Sequence, residues 1–241
     1  MQSEIMDCAC VIHGDAYDWQ YVDNLYAMIE KNTTREFRLH VFTEAHRTVP
    51  SHMIKHELEN WPGVHGPKKS WWYKMQMFNV HQHRRCLLYF DLDVVITGNI
   101  DWIWDLDREK FWAIHDFRRI WRPNWAGINS SVMFWDNSQY SWIWKNFLEN
   151  NIDVTVKRFH GDQDFLNSQL SRASKRFFPE DRFLSWRWQV SDGGIDAKTR
   201  AYHRPGAGAV IPPASNVIVF HGQPKPHEVQ DPRIQQLWHS G

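Results

Sequence analysis

The sequence predicts an α/β fold, and three observations predict it. Short apolar runs of strand length alternate with segments whose apolar residues recur at helical spacing. The first of these segments are joined by short connections, as in a strand–helix–strand unit. Hydrophobic residues make up 42% of the 241, enough for a packed core, yet no apolar run approaches the roughly 20 residues of a membrane span. The length fits one domain on a prior of about 100–200 residues per domain. No repeat, low-complexity tract or linker divides the chain.

Residues 5–12 are a mainly apolar run closed by the polar turn His13-Gly14-Asp15-Ala16-Tyr17, a buried strand opening into a loop. Over 19–31, Val22, Leu25, Tyr26 and Ile29 recur at three- and four-residue spacing, the stripe of an amphipathic helix. A second strand over 37–42 ends at Thr43-Glu44. Such a unit has a right-handed parallel crossover, and ligands gather at the carboxyl ends of its strands. The loops at His13 and Thr43 are therefore candidate ligand walls. Next come a helix over 70–81 and a strand over 85–90 that runs on through 91–96. Strands follow at 111–115, 131–135 and 217–220, with helices at 138–149 and 162–170. From 171 to 213 the pattern dissolves into Gly/Pro-rich loops interleaved with aromatic residues, the kind of long irregular segment that is often functional.

Lys and Arg together number 28, as do Asp and Glu, so the formal charge is zero. Nucleic-acid binding relies on many cation–phosphate contacts, so no nucleic-acid partner is expected and any phosphate chemistry must be local. Cys8, Cys10 and Cys86 are odd in number and lack metal-ligand spacing, which fits a reducing compartment. Residues 1–5 show no secretory signal pattern. A cytoplasmic location is the expectation.

The strongest chemical signal is Asp91-Leu92-Asp93 at the end of an apolar strand. If the strand stays regular, the two carboxylates share a face. Carboxylates brought together repel unless a cation lies between them, and oxygen ligands suit Mg²⁺ or Mn²⁺. The plainer reading is a strand-end turn with two solvated aspartates. Partners stand elsewhere in the chain. His221 and Lys225 emerge after the strand at 217–220, offering a metal ligand and a cation for a diphosphate. Gly161-Asp162-Gln163-Asp164 opens a helix, and Asn129-Ser130-Ser131 opens a strand.

In this order, Trp72-Tyr73-Lys74, Asp91/Asp93, Asn129-Ser130-Ser131, Asp162-Gln163-Asp164 and Gly222-x-x-Lys225-Pro226 resemble the GT-A glycosyltransferases over most of the chain. The closest resemblance is to the retaining family eight, which includes glycogenin and bacterial lipopolysaccharide galactosyltransferases. It implies a single GT-A, Rossmann-like domain over 1–241 with a mixed, mainly parallel central sheet flanked by helices. Residues 1–95 would be the nucleotide-binding half and 96–241 the acceptor-binding half. The implied donor is a nucleotide sugar, a UDP-sugar, and the implied partner a saccharide or glycan acceptor. Asp91 and Asp93, with His221, would hold Mn²⁺ (or Mg²⁺) on the diphosphate. Lys225 would grip that diphosphate and Lys74 would reach the donor from its helix. Asp162 and Gln163 would stand beside the transferred sugar, with Gln163 at its anomeric face. His13, Gly14, Asp15 and Tyr17, with Thr43, would form the nucleoside pocket, and Asn129 and Gly222 would join the donor wall. One departure stands out: the family's metal-binding His lies three residues before the Gly, where this chain has Val219, and the available histidine is His221. His227 or water are the other candidates for that third ligand.

Fifteen tryptophans are the compositional outlier. Those at 71, 72, 102, 104, 142 and 144 read as packing, whereas Trp186 and Trp188 in the irregular segment, and Trp121 with Trp125, read as surfaces on which a sugar can stack. Two rival functions share the motifs. A haloacid-dehalogenase-like phosphatase also places Asp-x-Asp after a strand, but normally on the strand that opens its domain, and here about a third of the chain precedes Asp91. A non-catalytic carbohydrate-binding protein on the same fold would not need the acidic and basic positions.

Overall fold

The computed structural model describes residues 4–64, 69–79, 81, 85–149, 151–196 and 199–239. Residues 1–3, part of the stretch read for a leader, and Val80 of the expected helix over 70–81 lie outside the described residues. Among the described residues no helix is long and apolar enough to cross a membrane.

Strands β1 (Met6–Val11), β2 (Phe37–Thr43), β3 (Ile54–Glu57) and β4 (Cys86–Phe90) lie parallel in the order β3-β2-β1-β4. After β4 the chain leaves this sheet, and β5 (Val94–Ile96) belongs to another. The first sheet continues through β7 (Ile128–Asp136), antiparallel to β4, then β6 (Phe111–His115), antiparallel to β7, and closes on β8 (Lys175–Phe177), parallel to β6. The result is a seven-stranded mixed sheet, mainly parallel as expected. A smaller sheet pairs β10 (Val217–Val219) with β5 antiparallel and with β9 (Phe183–Ser185) parallel.

Strand alternation divides the core between the two faces of the large sheet. Met6, Cys8 and Cys10 of β1, with Leu88 and Phe90 of β4, pack on one side with helix α1 (Gln20–Asn32) and the small sheet. Ala9, Leu87 and Tyr89 face the other, against the segment Ser70–Phe78, helix α3 (Trp142–Glu149) and helix α5 (Asp162–Gln169). Helix α2 (Asn137–Tyr140) precedes α3, and α4 (Ile152–Arg158) separates α3 from α5. Helix α6 (Pro232–Trp238) packs Ile234 and Trp238 beside α1.

Three expectations change. Residues 70–78 form a 3-10 helix in place of an α-helix over 70–81. Every residue from Trp72 to Phe78 is buried, so no solvent face holds the segment to a 3.6-residue period, and the 3-10 form rises about 2.0 Å per residue and spans the sheet with fewer residues. The helix expected over 138–149 is broken at Ser141 into α2 and α3, with the Asp136 side chain capping α2. Residues 91–93 form a turn between β4 and β5, so the regular strand assumed for the two aspartates ends at Phe90.

Candidate functional site

β1, β4 and β6 point the same way, and their carboxyl ends open onto a cavity of about 600 Å³. β7 enters at the same edge, and its register against β6 jumps between Ala113–Met133 and Ile114–Asn129. The extra residues of that bulge are Ser130, Ser131 and Val132, and it turns Asn129, Ser130 and Ser131 to the cavity. His13, Tyr17, Lys74, Asp91, Asp93, Asn129, Asp162, Gln163, His221, Gly222 and Lys225 all line this cavity, although they come from separate segments. Gly14, Asp15 and Thr43 do not line it. The Gly14 N–H donates to Glu44 Oε1 (2.7 Å), Asp15 is exposed, and Thr43 is buried and donates to Glu44 Oε2 (3.2 Å). Glu44 thus anchors the loop after β1. Burial opposes its charge, but the Gly14 N–H and Arg47 outweigh burial and hold its carboxyl at about 2.

The floor is a network of buried charges. Lys74 Nζ lies 2.7 Å from Asp91 Oδ1 and 3.6 Å from Asp162 Oδ2. Tyr89 OH donates to Asp91 at 2.5 Å, and Ser130 Oγ donates to Asp162 at 2.7 Å. Lys225 donates to Asp93, which also accepts from Tyr17 OH at 3.0 Å. Burial favours a neutral Lys74, but Asp162 and Asp91 outweigh it and hold the ammonium form. Asp93 is pushed up, by burial first and also by repulsion from Asp91, against the pull of Lys225. The floor thus sets three carboxyl groups against two ammonium groups, and burial pushes both Asp93 and Asp162 up. A left-handed φ of 79° at Gly222 lets the loop turn back so that Lys225 reaches this floor.

A second network was not anticipated from the sequence. Gln163 is held at both ends of its amide: its Nε2 donates to Asp116 Oδ2 (3.4 Å), and its Oε1 accepts from the Ser130 N–H (3.3 Å). Asp116, buried just past β6, also accepts from Arg118 Nε (2.8 Å) and Trp125 Nε1 (3.0 Å). Arg118 lines the cavity and stacks its guanidinium 4.6 Å from the Trp125 ring. The signal for Asp116 was present: it stands at the carboxyl end of a correctly placed strand, the same rule that singled out His13 and Asp91.

Asp91 and Asp93 could hold a divalent cation. They are hard oxygen ligands, and the repulsion that raises Asp93 is what a cation between them would relieve. The donor set fits a small ion carried by one or two carboxylates and completed by substrate phosphate oxygens and water. Among the described residues no group of three His, Cys, Asp or Glu side chains converges on a metal position. His221 Nε2 is hydrogen-bonded to Ser185 Oγ at 2.7 Å, and its ring stacks on Phe117 with centroids 5.3 Å apart. Burial, then Arg187, lower its pKa to about 4, so the imidazole is neutral near pH 7. Val219 is buried in the core, and His227 is bonded to Tyr21 OH at 2.5 Å. Trp186 is 6% exposed and stacked on Phe220, so it packs where a sugar-stacking surface was expected. Trp188 remains partly exposed, edge-on to His221 at 4.7 Å.

No protein-family model matches the chain, and no curated protein matches it. Solved structures do. The chain is similar to an active-site glutamine-to-glutamate mutant of LgtC, with TM-score 0.68 and 14% identity over 98% of this chain and 95% of that one. It is similar to the galactosyltransferase LgtC in complex with donor and acceptor sugar analogs, with TM-score 0.67 and 16% identity over 98% and 96%. It is also similar to the glycosyltransferase GlyE of Streptococcus pneumoniae TIGR4, with TM-score 0.65 and 12% identity over 98% of this chain and 60% of that one. Over nearly its whole length, the chain therefore has the GT-A fold of these glycosyltransferases.

Proposed function

We propose that this protein is a glycosyltransferase that moves a hexose from a nucleotide sugar, a UDP-sugar, to a saccharide or glycan acceptor, with retention of anomeric configuration. In this reading residues 1–95 form the nucleotide-binding half of one domain and 96–241 its acceptor half. The observation that carries it is the convergence of Lys74, Asp91, Asp93, Asp162, Gln163 and Lys225 in one cavity. A phosphatase active site does not need Asp162 and Gln163 opposite the Asp-x-Asp. The fold is that of a galactosyltransferase solved with donor and acceptor sugar analogs.

The chemistry follows from charge. Departing UDP gains negative charge on its β-phosphate, and both lysines of the floor are already paired with carboxyl groups, so receiving a diphosphate needs added positive charge. Mn²⁺ or Mg²⁺ held by Asp91 and Asp93 would supply that charge as a Lewis acid. Lys225 exchanges Asp93 for the phosphate, which keeps the ammonium paired throughout. Lys74 stays fixed between Asp91 and Asp162 and adds a stationary positive charge. The sugar passes through an oxocarbenium-like state, as in glycoside hydrolysis. The carboxamide of Gln163 is too poor a nucleophile for a covalent intermediate. With its oxygen bonded to the Ser130 N–H and one N–H bonded to Asp116, it turns its other N–H toward the sugar as an orienting donor. Retention then comes from acceptor attack on the face the diphosphate leaves, with the departing phosphate taking the acceptor's proton. His13 and Tyr17 wall the nucleoside end; His13 stacks on Tyr73 with centroids 3.7 Å apart.

The test is UDP release from UDP-hexoses, with and without Mn²⁺, run beside phosphatase substrates. Metal-dependent UDP release supports the proposal. Phosphate-ester turnover without UDP release rejects it.

A further inference from the structure

From the mouth of the cavity a seam runs outward between the 3-10 turn Phe117–Ile120 and the irregular chain after Trp186. Two ring contacts mark its ends. At the inner end Phe117 stacks on His221, and Arg118 and His221 belong to the cavity wall. Between these ends stands Arg119, paired with Glu180 Oε2 at 2.5 Å; burial lowers its pKa and the charge of Arg200, two residues before Tyr202 in the chain, lowers it further, against the pull of Glu180. At the outer end the rings of Trp121 and Tyr202 meet at 6.4 Å. That end is open: Trp121 is 53% exposed and Tyr202 65%.

Arginines border the seam, and Arg118 and Arg119 are paired with carboxylates. A side chain built on Gly222 would begin 3.8 Å from a guanidinium nitrogen of Arg187, so Arg187 overhangs the cavity rim. Among the described residues, neither Arg187 nor Arg200 has an ion pair. The acidic groups nearby have other partners, exposed Asp192 among them, which accepts from the Gly206 N–H at 2.7 Å. Glu180 pairs with Arg119 and His115, Asp116 with Arg118, and Asp196 accepts from Thr199. Arg200 also holds a left-handed φ of 57°, a conformation uncommon outside glycine.

We infer that this seam is an acceptor subsite for a sugar ring bearing a negative charge, the ring stacking on Trp121 and Tyr202 and its phosphate or carboxylate meeting the arginines of the seam, Arg200 first. The exposed aromatic faces accept the C–H face of a pyranose, and their polar edges reach its hydroxyls. Guanidinium groups bond oxyanions through paired, charge-assisted hydrogen bonds that a neutral sugar does not offer. The word acceptor rests on the glycosyl-transfer reading; the binding does not.

The test titrates glucose 6-phosphate, glucuronate and methyl glucoside, following tryptophan fluorescence and saturation-transfer NMR, with UDP present to occupy the nucleotide end of the cavity. At least one charged sugar should bind about tenfold tighter than methyl glucoside. Comparison of glucose 6-phosphate with glucuronate tells whether phosphate or carboxylate is the preferred charge. Trp121→Ala and Arg200→Ala should each remove most of that preference, while Lys145→Ala, which removes an exposed cation on α3, retains it; all three changes are at exposed positions, and circular dichroism checks that the fold persists. Equal binding of charged and neutral sugars overturns the inference. So does unchanged binding in both rim variants, or inorganic phosphate competing as well as glucose 6-phosphate. Charged-sugar binding without any UDP binding leaves the subsite standing and counts against the transferase reading. UDP binding without charge discrimination does the reverse.

Discussion

On the cavity floor Asp91, Asp93 and Asp162 each have a lysine partner, whereas on the rim Arg187 and Arg200 have no ion pair among the described residues. The difference follows depth. Lys74 and Asp162 are 7% and 4% exposed, and a charge at that depth left without a partner costs several kcal/mol, on the order of 3–5. Arg187 and Arg200 are solvated, so leaving them unpaired costs little. Pairing on the floor is thus fixed on folding, and a ligand can enter there only by exchanging partners. The rim offers cations that need no exchange.

This contrast can be broken most severely on the floor. Lys225→Ala and Asp93→Asn should each lower kcat/KM for hexose transfer by about a hundred- to a thousandfold, measured as UDP release, since each removes part of the electrostatics at the leaving group. Lys74→Met strands Asp91 and Asp162, and denaturant unfolding should show a loss of about 3–5 kcal/mol; an unchanged midpoint would mean that the pairing contributes nothing. Asp116 tests a position between floor and rim. Asp116→Asn should lower kcat by about tenfold through misplacement of Gln163 while UDP affinity stays constant. An equal loss in UDP affinity would instead indicate general disorder of the site. His221→Ala should change the Mn²⁺ dependence little, because His221 is turned to Ser185, whereas a lost Mn²⁺ requirement would make it a ligand. The smallest effect belongs to Glu44. Its folded pKa of about 2 lies below the ordinary 4.5, so its contribution is complete above pH 4.5 and disappears as the pH falls toward 2. Glu44→Gln should therefore flatten the stability profile in that window, and an unchanged profile would show that the loop anchor is energetically idle.

The same contrast governs what could be read from the sequence. β1, α1 and β2 were legible because one apolar stripe or run decides each, and their loops then had to meet at one sheet edge. The five motifs were legible as polar and charged residue types at the ends of predicted elements, and residues of all five line one cavity. The 3-10 form of Ser70–Phe78 was not, since a segment buried all round has no face to reveal its period. β3, half exposed with the sequence Ile54-Lys55-His56-Glu57, has no apolar run to announce it. β9 and the π-helical turn Trp186–Val190 are set by pairing with β10, a contact between segments more than 30 residues apart that no local pattern encodes. That is why Trp186 was expected on the surface and lies in the core, whereas Trp121, also expected on the surface, is exposed there beside Tyr202.

The most direct measurement is calorimetric titration of UDP into the wild-type protein and Asp93→Asn, each with and without Mn²⁺. The account predicts that Mn²⁺ strengthens UDP binding to the wild type and that Asp93→Asn removes this gain. Binding of equal strength in all four titrations, or no binding in any, would contradict it.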